Sequence, residues 1–70
     1  MNAEEIIRSD MPNVHIYSIS QLGKRIGIDN RSTMNRKVKM PTTFTINEIQ
    51  ALAKLLGWSD KRLGEFIRSI

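Results

Sequence analysis

Between Asn30 and Lys39 the chain gathers hydrogen-bonding and cationic side chains at helical spacing. At about 100° per residue, Arg31, Ser32, Asn35, Arg36 and Lys39 fall within about 140° of arc, while Met34 and Val38 point elsewhere. One face of such a helix is wholly polar and basic. Arg can bond guanine through two parallel N–H groups and Asn can do the same to adenine, while Ser or Lys can take either a base edge or a phosphate. With Asn30 at the helix start, these six residues are the base-reading candidates. Ser18, Ser20, Gln21, Lys24, Arg25 and Lys37 flank them with hydroxyl, amide and cationic groups suited to the phosphate backbone.

The charge balance agrees with a polyanion partner. The net +4 of the 70 residues is moderate, but residues 18 to 40 hold six basic side chains against one acidic, while residues 1 to 17 sum to −2 and residues 41 to 70 to +1. A basic face is by itself most often a solvated one. The spacing of the polar groups and the two glycines below favour binding over that reading.

Four segments have apolar residues at helical period. Ser18 followed by Gln21 has a capping-box pattern, and Ile19, Leu22 and Ile26 share a face with Gly23 before the helix ends at Gly27. Asn30 caps a second helix through about Lys39, with Met34 and Val38 as its inward pair. Thr45 and Glu48 repeat the capping box, and Ile46, Ile49, Leu52, Ala53 and Leu56 form the buried arc of a helix closed by Gly57. Ser59 caps the last helix, in which Leu63, Phe66, Ile67 and Ile70 follow an i, i+3, i+4, i+7 pattern. At the start, Asn2 caps a short helix through Arg8, Met11-Pro12-Asn13 interrupts it, and Val14 to Tyr17 is either extended or a further helical turn.

No hairpin signal, repeat or low-complexity linker is present, so residues 1 to 70 are expected to form one all-α domain, a compact bundle of four to five short helices. Its first two strong helices, at about 18 to 39, have the spacing of a helix-turn-helix. Gly23 lies on a buried helical face, where Gly costs about 1 kcal/mol against Ala, so a close approach by a crossing helix is expected there. Gly27 sits where the chain must reverse, a position that favours positive φ.

At these residues the chain resembles the phage repressor and Cro-type helix-turn-helix family, also called the XRE family. The stretch Ser18-Ile-Ser-Gln-Leu-Gly-Lys-Arg-Ile-Gly-Ile-Asp-Asn-Arg-Ser-Thr-Met-Asn-Arg-Lys-Val-Lys39 is similar to the family's capped helix, small residue, Gly turn and recognition helix. The similarity continues through Pro41 and Leu52-Ala53-Lys54-Leu55-Leu56-Gly57, covering about residues 18 to 67. The resemblance implies a lambda-repressor-like fold, with Asn30, Arg31, Ser32, Asn35, Arg36 and Lys39 meeting double-stranded DNA and Met34 as the inward anchor. It also makes Leu22, Gly23, Ile26, Gly27 and Ile28 structural positions. Three departures stand out. Ile19 occupies the place where the family usually has Gln, the turn is one residue longer, and Lys39-Met40-Pro41 replaces the usual Gly after the recognition helix. In this family the last helix often forms the dimer contact, which makes Phe66, Ile67 and Ile70 the candidates for a homodimer interface.

The remaining features carry little chemistry. There is no Cys, and His15 is a lone histidine without ligand partners at suitable spacing, so no metal or cofactor is expected. Ser32 and Thr33 have no base placed to activate them, and no acid-base pair or phosphate loop is present, which argues against an enzyme. Aromatic residues are absent from the basic segment, which disfavours single-stranded RNA. Met1, Met11, Met34 and Met40 read as gap-filling, and Trp58 as a plug at a helix junction. No apolar run approaches the roughly 20 residues of a membrane span, and Met1 to Asp10 does not resemble a secretory signal, so a cytoplasmic location is expected. The sequence thus leads to a small phage- or prophage-type transcriptional regulator. The alternative is an antitoxin-like or scaffold module that binds a protein through its apolar C-terminal helix.

Overall fold

Local chemistry sets the helix starts. In the computed structural model, which describes residues 2–70, five α-helices follow one another: α1 (Ala3–Asp10), α2 (Ile19–Arg25), α3 (Arg31–Lys39), α4 (Ile46–Leu56) and α5 (Asp60–Arg68). Among the described residues there is no strand, and the fold is an all-α bundle. Each helix is capped by the side chain just before it: Asn2, Ser18, Asn30, Thr45 and Ser59 all accept a backbone N–H from the first turn. Complete capping boxes close on α1, through Asn2 and Glu5, and on α4, through Thr45 and Glu48. Met1 lies outside the described residues.

α1 runs two residues past the expected Arg8, to Asp10, where Pro12 converts the chain to a 3-10 turn over Met11–Val14. His15 then takes a left-handed conformation with φ 60, ending the turn, and sends Ile16 into the core. Of the two readings of Val14 to Tyr17, the helical turn therefore holds only as far as Val14.

α2 stops at Arg25, two residues before the expected end at Gly27. The cause is a Schellman closure: Ile28 N–H donates to Gly23 C=O at 2.7 Å and Gly27 N–H to Lys24 C=O at 3.5 Å, with Gly27 at φ 90. That reversal launches α3 across α2. A Cβ on Gly23 would lie 2.8 Å from both Ile28 O and Met34 Cγ, so the missing side chain is what lets the two helices meet.

The core is built from Ile6, Ile7, Leu22, Met34, Leu52 and Phe66, each with almost no exposed surface, together with buried neighbours from every helix. Met34 and Val38 are the inward pair of α3, as the spacing requires. On α4 the buried arc is narrower than expected and is centred on Leu52 and Leu56. Ile46, at the first helical position and about 100° from that centre, is 75% exposed. The last helix also divides differently: Phe66 is in the core at 0% exposure, while Ile67 and Ile70 are 48% and 43% exposed.

A polar network locks the two ends of the chain. Arg62 on α5 donates through Nε and Nη2 to the two carboxylate oxygens of Asp10 on α1, both at 2.9 Å, and Trp58 Nε1 donates to Asp10 Oδ2 at 2.6 Å. The Arg62 hydrogen bonds hold the Asp10 carboxyl below its ordinary pKa against the opposing effect of burial, and Trp58 adds to this. The same pair raises Arg62 above its ordinary value. Trp58 also stacks on Phe66 with ring centroids 4.9 Å apart, so it does plug a helix junction.

Candidate nucleic-acid interface

The basic face rests on α2, α3 and the turn between them. Met34 and Val38 anchor α3 inward, which leaves Ser32, Arg36 and Lys39 exposed on the far side, and Arg31, about 20° from Val38 around the helix, exposed at its first position. Lys24 and Arg25, in the last turn of α2, are exposed too, where they complement the negative end of the helix dipole.

Several candidates already have partners. The Asn30 side chain caps α3 by accepting Thr33 N–H at 2.9 Å, so its amide oxygen is committed to the helix start rather than left for a base. Asn35 Nδ2 donates back to Arg31 C=O at 3.0 Å, an interaction that must open before the side chain can meet an adenine. Ser18 caps α2 by accepting Gln21 N–H. Gln21 Oε1 accepts from Tyr17 N–H, one residue earlier than a capping box would place it, so that box is only half formed. Ser20 lines an open cleft described below.

Lys37 departs most from expectation among the phosphate candidates. Its Nζ donates to Glu48 Oε1 at 2.8 Å and to Thr43 C=O at 2.9 Å, and it lies 5.9 Å from the centre of the Phe44 ring. Burial works against ionisation of Glu48, but the hydrogen bonds from Lys37 and from Thr45 N–H outweigh it and keep the carboxyl below its ordinary pKa. Lys37 therefore ties the end of α3 to α4. Phe66 is likewise removed from the dimer candidates: a fully buried ring cannot offer an interface, and only Ile67 and Ile70 present apolar surface there.

Two side chains that the sequence reading passed over stand beside the basic face. Arg8 of α1 and Tyr17 of the following loop line an open cleft of about 480 Å³ together with Ser18, Ile19 and Ser20 at the start of α2 and Arg31 and Asn35 of α3. Only the packing of α1 against α3 brings Arg8 there, and no local pattern announces it. Among the described residues no set of three His, Asp or Glu side chains is gathered as a metal site, and no helix is long and apolar enough to cross a membrane. Neither the protein-family models, the curated proteins nor the solved structures give a match to this chain.

Proposed function

We propose that this protein binds double-stranded DNA, with α3 lying in the major groove as the recognition helix of an XRE-type helix-turn-helix. The observation that carries this reading is the division of α3 into a fully buried Met34–Val38 edge and an exposed face bearing Arg31, Ser32, Arg36 and Lys39. A solvated face needs only charge. This one combines forked donors at helical spacing with a glycine contact that sets the angle of the helix.

On this reading Arg31, Arg36 and Lys39 read bases, Lys24 and Arg25 neutralise phosphates, and the protein is a small phage- or prophage-type regulator. Pairing through Ile67 and Ile70 would place two recognition helices on half-sites about 34 Å apart. Selection of genomic fragments with the purified protein, followed by Arg31→Ala and Arg36→Ala on the recovered site, tests this. Each substitution is expected to cost roughly 1–3 kcal/mol. Unchanged affinity of both variants in a gel-shift titration would reject α3 as the reading helix.

A second reading, an antitoxin-like or scaffold module, draws on the exposed Ile67 and Ile70 at the end of α5. It predicts salt-insensitive binding of a partner protein, whereas DNA binding weakens steeply with salt.

A further inference from the structure

The open cleft joins three helices that the reading face alone would not connect. Arg8 comes from α1, the hydroxyls of Ser18 and Ser20 from the start of α2, Tyr17 from the loop before it, and Arg31 from α3. No carboxylate lines the cleft, although it contains two guanidinium groups. Among the described residues Arg31 is in no ion pair, and Arg8 makes a single contact, from Nε to Glu4 Oε2 at 3.0 Å, with the two side chains 51% and 33% exposed. An exposed pair of this kind on one helix is weak and easily exchanged.

A lining without Asp or Glu that includes two Arg residues and the hydroxyl residues Tyr17, Ser18 and Ser20 suits a phosphate group, which accepts several hydrogen bonds and favours the fork of Arg, although Ser18 Oγ already accepts Gln21 N–H and the Tyr17 hydroxyl lies 3.4 Å from His15 Nδ1. The cleft is continuous with the reading face because Arg31 and Asn35 belong to both. Its natural occupant is therefore the next part of the polyanion that lies on α3. Resting on the DNA-binding reading above, we infer that the cleft seats a backbone phosphate of the bound strand, held by Arg8 once it leaves Glu4, with Arg31 reading a base beside it. Glu4 then acts as a built-in competitor for Arg8, and α1 becomes part of the DNA-contacting surface.

Titration of a random-sequence duplex at several salt concentrations tests this without a known operator. Arg8→Ala is expected to weaken binding roughly threefold to tenfold and to make the log–log salt slope shallower by about 0.9, one phosphate contact. Arg8→Lys keeps the charge and is expected to retain the slope. Glu4→Gln is expected to strengthen binding about twofold to fivefold, and this gain should vanish in the Arg8→Ala background, because the two residues act through one exchange. Thermal melts identify any variant that fails to fold, and Arg8→Gln, which keeps the stem and loses the charge, then carries the comparison. If the wild type binds and Lys24→Ala weakens it, while Arg8→Ala changes neither affinity nor slope, the cleft assignment alone is overturned. An equal Glu4→Gln gain with and without Arg8 overturns the exchange. A wild type with no salt-dependent binding removes the DNA-binding reading and this inference with it.

Discussion

Gly23→Ala isolates the contact that sets α3, and with it the basic face, against α2. A Cβ at this position would stand 2.8 Å from Ile28 O and from Met34 Cγ, and 3.1 Å from Met34 Cβ. The carbonyl cannot swing away easily, because Ile28 N–H is bonded to Gly23 C=O at 2.7 Å and Gly27 fixes the reversal. Met34 is fully buried and has little space to retreat. Overpacking of this kind costs about 1–3 kcal/mol, and the double contact points to the upper end. Alanine returns about 1 kcal/mol in helix propensity, leaving a net loss of roughly 2 kcal/mol. For a domain of this size that corresponds to a fall in Tm on the order of 10 °C. Gly64→Ala is the control, since its Cβ would meet only the flexible guanidinium end of Arg68, at 3.1 Å. That substitution should stabilise by up to about 1 kcal/mol. Thermal and urea unfolding followed by circular dichroism would measure both. A Gly23→Ala protein as stable as wild type, or shifted in the same direction as Gly64→Ala, would refute the close approach of α2 and α3.

Four further outcomes are expected. Asp10→Asn removes the bidentate partner of Arg62; because Arg62 is 25% exposed and keeps Glu65, the loss should be roughly 2–3 kcal/mol, below that of a fully buried pair, as read by urea unfolding. Both Asp10 and Glu48 are held below their ordinary values of 3.8 and 4.5, so the stability they add is fully present above about pH 5 and declines as pH falls through the folded values; Asp10→Asn should flatten this acid limb in melts across pH. Lys37→Ala should cost roughly 1–2 kcal/mol in stability yet, if the protein binds DNA, change the salt slope less than Lys24→Ala does, since Lys37 is tied to Glu48. Phe66→Ala should destabilise by roughly 3–5 kcal/mol, whereas Ile67→Ser should leave the melt within about 1 kcal/mol and, if α5 pairs two copies, shift sedimentation towards monomer.

What the sequence makes legible here is chiefly local. Asn30 and Thr45 announce their helices because a cap and its N–H lie three residues apart, and Gly27 announces the reversal because only the backbone conformation is at stake. Met34 and Val38 follow from the helical period alone. The Asp10–Arg62 pair spans 52 residues, and each member taken singly looks like an ordinary surface charge. Lys37 fitted the basic pattern, but its partner Glu48 is 11 residues away on the next helix, where its capping role was the visible one. Ile46 and Ile67 show the limit of periodicity: it assigns a residue to a stripe, but the edges of that stripe depend on which neighbours arrive. The Arg8 cleft depends on how α1 crosses α3, which no spacing within either helix encodes.

The most direct measurement is the affinity of the wild-type protein and of Arg31→Ala/Arg36→Ala for duplex DNA across a salt series. DNA binding through α3 predicts that wild-type affinity falls steeply and linearly on log–log axes, and that the double variant binds more weakly at every salt. The account would be contradicted by wild-type binding that ignores salt, by none even at low salt, or by a double variant indistinguishable from wild type.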